Sequence, residues 1–256
     1  MGVVAYPAVD SLLEDLLTEI REHLGDRLVG LYVYGSLVTG DSDEGISDID
    51  LLAVTSDEIN DADFSRLDAM HNSFISARSE WQDRLEIAYL SLQALRTFKI
   101  QPSRAAIISP GEPFHFKEVG ADWLINWWMV SEEGITLFGP PPATIIEPIS
   151  NAEVIAASRK QAADWPAWIR ELQPSRPYQG YAVLTMCRAF YAHELGAQAS
   201  KKRAAAWAAE RLPEWAGLIQ SAMAWREEWR NREVDPQATL PEVVKFVDSV
   251  AKKIAG

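Results

Sequence analysis

Three carboxylates and one Gly-Ser turn are the residues of this chain whose types and spacing invite chemistry. The stretch "LYVYGSLVTGDSDEGISDIDLLAV", Leu31 to Val54, runs from a β-branched and aromatic segment through Gly35-Ser36 to Asp48 and Asp50. Those aspartates lead into a second apolar run. In a strand, residues two apart share a face, so Asp48 and Asp50 point the same way while Ile49 and Leu51 point into the other layer. Two such carboxylates repel unless a cation sits between them or one takes up a proton. Hard divalent cations such as Mg2+ prefer oxygen ligands and keep waters for substrate phosphates. The Gly35-Ser36 turn, at the end of one strand and the start of a helix, offers backbone N–H groups and a hydroxyl to a phosphate anion. A third acid, Glu86, lies inside the apolar strand pattern "RLEIAYL", flanked by Leu85 and Ile87. An unpaired charge there is costly. Beside metal ions it can serve as a ligand or as general base for a substrate hydroxyl. A metal-bearing wall facing a phosphate-cradling turn is the apparatus of nucleotidyl transfer.

These residues need elements to hold them. "DSLLEDLLTEIREHLGDR" places Leu12, Leu13, Leu16, Leu17, Ile20 and Leu24 at helical spacing, with Asp10 and Ser11 as expected caps and Gly25 as the expected end. Strand-like runs follow over 28–34 and 49–55, then a helical pattern from about Asp61 to Glu80, then a strand in "RLEIAYLSL". The loop between the first two strands is too short for a helical crossover, so they are predicted to be antiparallel neighbours. Beyond Ala121 helical patterns dominate, and nine of the ten tryptophans lie there. Trp-rich helical faces read first as core. "GPPP" at Gly139–Pro142 interrupts regular structure and is followed by "EPIS". Ser150 with Glu153, and Thr239 with Glu242, read as capping boxes. Helical patterns lie near 151–172, 180–195, 201–211 and 214–231. The expected architecture is α+β: an α/β domain with a mixed sheet over 1–149, then a C-terminal α-helical bundle over 150–256.

With 256 residues, the chain can bury a real core in one large domain or two modest ones. Its net charge of −13 is concentrated at the front: residues 1–100 hold 19 acids against 7 bases, the remainder 18 against 17. That imbalance disfavours duplex nucleic acid, which demands a basic footprint, and suits metal ions or a cationic substrate. No run approaches the roughly 20 apolar residues of a membrane span. The N-terminus lacks the basic n-region of a signal peptide, and Cys187 has no second cysteine to pair with. A cytoplasmic protein, outside the membrane and monomeric, is expected.

"YGS", eleven residues and then "DID" before an apolar run resembles the DNA polymerase β-like nucleotidyltransferase superfamily. The likeness narrows with "LEIAYL", "GITLFGPPP" and "YAVLTMCRAFYAHELGAQASKKRAAAWAAERLP". Together these are similar to the aminoglycoside 3''/9 adenylyltransferase family, the streptomycin and spectinomycin resistance enzymes, from about Leu31 to Ala222. The resemblance implies ATP and Mg2+ as cofactors and a small hydroxylated, cationic acceptor as partner. It implies that the Gly35-Ser36 turn and Ser47 contact the ATP phosphates, that Asp48 and Asp50 hold Mg2+, and that Glu86 is the metal-side carboxylate and catalytic base. Arg188 in "TMCR" and Lys201 in "ASKK" match basic residues that reach the nucleotide between the domains. Asp122 falls at a position near it.

Each basic residue has a plainer explanation. A carboxylate partner accounts for Arg188 in an apolar helix, and a solvated charge after a helix cap accounts for Lys201. The sequence also departs from the family. Streptomycin-handling members carry acids and an aromatic ahead of the "VLT..R" helix, whereas this chain has "LQPSRPYQGY", with Pro174, Arg176 and Tyr178. An arginine there repels a guanidinium-bearing substrate, and Trp165, Trp168 or Glu171 are the residues able to compensate. Two other readings are weighed. Arg188 and His193 have the R-x4-H spacing of HEPN-type ribonucleases of toxin–antitoxin pairs, though residues five apart on a helix only partly share a face. A nucleotide-binding regulatory member that does not transfer AMP is the other, and the presence of all three carboxylates argues against it.

Overall fold

Near-continuous apolar runs along β-strands over 28–34, 49–55 and 85–91 build the floor of the N-terminal unit. The computed structural model describes residues 7–40, 42, 47–171, 175–225 and 235–256, and its contacts divide the chain into Met1–Ile149 and Ser150–Gly256. In the first unit, α1 (Pro7–Leu24) precedes β1 (Leu28–Tyr34), a single-turn helix α2 (Ser36–Thr39) and β2 (Ile49–Thr55). Then come α3 (Asp61–Ser76), β3 (Leu85–Ser91), α4 (Leu92–Thr97), β4 (Ser103–Ile108), β5 (His115–Val119), α5 (Leu124–Glu133) and β6 (Ile135–Phe138). The six strands form one mixed sheet in the order β5-β4-β3-β2-β1-β6. β1 and β2 are antiparallel as the short loop requires; β2 and β3 are parallel, joined through α3. β4, β5 and β6 were not visible as strands in the sequence.

One face of the sheet carries Leu31, Val33, Ile49, Leu51, Ala53, Leu85 and Ile87. They share a core with the α1 stripe Leu12, Leu13, Leu16 and Ile20 and with Leu67, Met70 and Phe74 of α3. Burying each such aliphatic side chain contributes roughly 1.5–3 kcal/mol. The period of two then sends Tyr32, Tyr34, Asp50, Leu52, Glu86 and Ala88 to the opposite face. α1 begins at Pro7, so Asp10 lies within its first turn and does not cap it. α3 is closed by Asn60, whose side chain accepts from Ala62 N and Asp63 N.

The second unit consists of α6 (Asn151–Glu171), α7 (Arg176–Leu195), α8 (Lys201–Arg211), α9 (Ala216–Trp225) and α10 (Leu240–Ala255). α7 is its central helix. It is buried almost all round, and α6, α8, α9 and α10 all pack on it. Trp165 and Trp225 fill that core, as the Trp-rich faces suggested. The Ser150–Glu153 capping box forms: Ser150 N donates to Glu153 Oε2 at 2.8 Å, and Glu153 N donates to Ser150 Oγ at 3.3 Å. The box expected at Thr239–Glu242 does not form. The Thr239 hydroxyl donates to Gln179 Oε1 at 2.7 Å, so a contact with buried Gln179 takes the group that a local cap would have used. The end of the pattern near 214–231 passes beyond the described residues at Trp225.

Candidate active site

Backbone register alone brings three of the relevant side chains together. Tyr34 pairs with Asp50 across β1–β2, and Asp50 pairs with Glu86 across β2–β3, so the three form one row over three adjacent strands. Residues opposite each other in neighbouring strands project from the same face at about 5 Å. Both carboxylates are half-buried, while Tyr34 is covered, at 2% exposure.

Gly35 ends β1 with φ 74° and ψ −146°, a region essentially restricted to glycine. Its carbonyl accepts from Val38 N and Thr39 N, both at 3.2 Å, which starts α2 and presents Ser36 at its first position. A side chain at Gly35 has no room: an added Cβ would overlap Asp50 Oδ2 and lie 2.9 Å from Asp50 Cγ. The Asp50 carboxylate therefore rests directly against the Gly-Ser turn. The other flank is tied down by Arg84, whose guanidinium donates to the carbonyl of buried Ser47 at 3.1 Å, while Ile49 N donates to Arg84 O at 2.8 Å. Asp48, half-buried between those two anchors, is the third acid at this end of the sheet. Gly35, Ser36, Ser47, Asp48, Asp50 and Glu86 thus converge on the ends of β1, β2 and β3.

Electrostatics agrees with that placement. Burial pushes the Tyr34 phenol well above its ordinary pKa, and the charges of Asp50 and Glu86 push it further, while a hydrogen bond with the Asn126 side chain pulls it partly back. Among the described residues no three His, Cys, Asp or Glu side chains are gathered closely enough to hold a metal ion by themselves. Mg2+ differs from metals bound in all-protein cages. It takes one or two carboxylates, several waters and substrate phosphates, and the Asp50–Glu86 pair beside Asp48 and an open phosphate-type turn fits that demand.

Asp122 lies in the turn before α5, where its Oδ1 accepts from Gly120 N at 2.8 Å. Arg188 and Lys201 belong to the helical unit. Arg188 Nε donates to Ala199 O at 3.1 Å, and Lys201, at the start of α8 beside the Ser200 cap, holds its Nζ 5.4 Å from the Tyr181 ring centre. His193 Nδ1 accepts from Arg159 Nε at 3.1 Å. Arg176 lies over the Trp225 ring at 5.0 Å, and Tyr178 packs on Trp165. Trp168 is 42% exposed and Glu171 is exposed as well, whereas Trp165 is buried. Pro174 lies outside the described residues. Tyr34, on the row of acids, and Asn126, which meets its phenol, carry only faint signals in the sequence. The available signals were a tyrosine directly before the Gly-Ser turn and a lone amide in the apolar run "WLINWWMV".

Comparison with known proteins gives a consistent set. Residues 13–103 match the nucleotidyltransferase domain, and residues 144–253 match the family described as aminoglycoside adenylyltransferase, C-terminal domain. The chain is 24% identical to an aminoglycoside (3'') (9) adenylyltransferase of Escherichia coli and 22% identical to one of Rhizobium radiobacter. The alignments cover 97% of this chain in both cases, and 97% and 94% of those proteins. The fold resembles a solved spectinomycin adenyltransferase from Enterococcus faecialis, crystallised with ATP and spectinomycin. That match has a TM-score of 0.75 and 18% identity, covering 96% of this chain and 99% of the other. The chain thus joins a nucleotidyltransferase domain bearing the row of acids to a helical domain that matches the C-terminal domain of aminoglycoside adenylyltransferases, and over 97% of its length it is similar to enzymes of that family.

Proposed function

We propose that the protein transfers AMP from ATP to a hydroxyl of an aminocyclitol or aminoglycoside antibiotic and releases pyrophosphate, with spectinomycin the favoured acceptor. The observation that carries this reading is the in-register Asp50–Glu86 pair, with Asp50 lying against the Gly35-Ser36 turn. In the proposed reaction Glu86 takes the proton of the acceptor hydroxyl. The acceptor oxygen then forms its bond to the α-phosphorus as the bond to the pyrophosphate oxygen breaks in line. A positioned base contributes about 10²- to 10⁴-fold, and holding the acceptor for in-line attack contributes further. Asp48 and Asp50, with Glu86, would hold Mg2+, which supplies positive charge against the phosphates and the leaving group. The Gly35-Ser36 turn and Ser47 would cradle the phosphates. Asp122, Arg188 and Lys201 are proposed to take part in nucleotide binding.

The acceptor preference is supported by which aromatic faces are already occupied. Tyr181 and Trp225 carry Lys201 and Arg176, so a guanidinium arriving there meets like charge. Streptomycin carries guanidinium groups, and spectinomycin does not. A reaction that consumes ATP is assigned to the cytoplasm, with the protein acting as a monomer on a small molecule and not on nucleic acid. The test is a panel of spectinomycin, streptomycin and unrelated hydroxylated cations, incubated with ATP and Mg2+ and followed by pyrophosphate release. Spectinomycin is expected to give the highest turnover; a higher rate with streptomycin would overturn the acceptor preference.

A further inference from the structure

Tyr34 closes the row that contains Asp50 and Glu86, yet it does not resemble a packing residue with a spare hydroxyl. The phenol is buried at 2% exposure, on the face of the sheet opposite the aliphatic core of α1 and α3. Its hydroxyl meets the side chain of half-buried Asn126, one α5 turn after Trp123. A phenol both donates and accepts, whereas a side-chain amide nitrogen only donates. With the Asn126 amide donating to the Tyr34 oxygen, the phenol proton remains to be given, and the acceptors on its row are two carboxylates. Asp50 stands directly opposite Tyr34 in register on β2, and Glu86 stands opposite Asp50 on β3.

We propose that Tyr34, oriented by Asn126, is a positioning residue for adenylyl transfer: its hydroxyl fixes the Asp50 and Glu86 carboxylates in the geometry that nucleotide and acceptor require. The inference rests on the adenylyl-transfer reading and adds to it a supporting layer behind the acids. Such partners orient a ligating carboxylate, and losing one typically costs 10–100-fold in metal affinity or activity. The covering helix also gives α5 a role in the site. Asn126 is half-buried on α5, and α5 packs on β1, the strand that carries Tyr34.

The test uses the full chain with Tyr34→Phe, which removes one oxygen and keeps the ring, and Asn126→Leu, alone and combined. Glu86→Gln is the reference. Turnover with ATP and spectinomycin, the Mg2+ concentration that half-saturates tight ATP binding, and thermal melting are read for each. Tyr34→Phe is expected to lower kcat by roughly tenfold or more and to raise the Mg2+ requirement several-fold, with KM for spectinomycin and the melting temperature nearly unchanged. The double variant is expected to match Tyr34→Phe alone, because Asn126 acts through the hydroxyl that is already gone. A Tyr34→Phe enzyme with wild-type kcat and Mg2+ response, or a loss of activity that simply tracks a fall in melting temperature, overturns the inference. If the wild-type chain shows no turnover with any acceptor of the panel, the adenylyl-transfer reading fails, and if Glu86→Gln keeps full turnover, the role given to Glu86 fails; both outcomes are distinguishable from a failure confined to Tyr34→Phe.

Discussion

Replacing Gly35 with alanine isolates the contact on which the site's geometry depends. Two effects are combined at that position. The backbone has φ 74° and ψ −146°, and forcing a side chain into that region costs roughly 1–3 kcal/mol. The new methyl would also sit where the Asp50 carboxylate now lies, 2.9 Å from its Cγ. The acid must therefore move, and in a positioned site a displacement of about 1 Å costs on the order of 10²-fold in rate. Gly40, at the far end of α2, supplies the control. It has φ 72° and ψ 16°, but an added Cβ there meets no atom of the described residues within 4 Å. Gly40→Ala should lose about 1 kcal/mol of stability and keep turnover within about threefold, the margin set by a small backbone adjustment. Gly35→Ala should lose at least 10²-fold in turnover, well beyond its effect on stability. Pyrophosphate release with ATP, Mg2+ and spectinomycin, measured beside thermal melting, separates the two. Equal activity loss in both variants, or normal turnover in Gly35→Ala, would refute the placement of Asp50 against the turn.

Two further predictions concern the N-terminal unit. His71 is buried at 3% exposure with Nε2 2.7 Å from the Tyr89 hydroxyl, and burial, with a smaller effect from His23, pushes its pKa down from 6.5 to about 3. A histidine that stays neutral in the fold supports stability fully above pH 6.5 and progressively loses it below, because the unfolded chain takes up the proton first. Between pH 6.5 and pH 5 that amounts to about 2 kcal/mol, read by chemical denaturation. His71→Gln should flatten the slope, and an identical slope in both proteins would contradict the prediction. Asp63, 1% exposed in its side chain, is raised by burial, but hydrogen bonds from Arg27 and Arg66 hold it below the usual carboxylate range overall. Asp63→Asn should cost about 3 kcal/mol while leaving turnover unchanged at temperatures where the variant is folded. A loss under about 0.5 kcal/mol, the size of an exposed pair, would show that these charges act as a surface bridge.

The sequence made the site legible where the signal was local. The Gly35-Ser36 turn, the Asp48–Asp50 spacing and the apolar runs around Glu86 each report on a few neighbouring residues, and the register between β2 and β3 then set Asp50 beside Glu86. Ser150 and Glu153 closed their box for the same reason. Signals that depend on distant partners were not legible. Thr239 has the spacing of a cap, but its hydroxyl is taken by Gln179, sixty residues away. The edge strand β5 reads His115, Phe116, Lys117, Glu118, Val119, which lacks the alternation of a half-buried strand, and its place in the sheet depends on pairing with β4. Asn126 stood as an isolated polar residue among tryptophans, and its meaning depended on Tyr34, ninety-two residues earlier.

The most direct measurement is the mass of spectinomycin after incubation with the protein, ATP and Mg2+, run in parallel with Asp48→Asn. The expected result is a single AMP adduct formed by the wild-type chain and none by the variant, with both proteins melting at similar temperatures. Absence of any adduct on spectinomycin or streptomycin with the wild-type protein, or an undiminished adduct with Asp48→Asn, would contradict adenylyl transfer by these carboxylates.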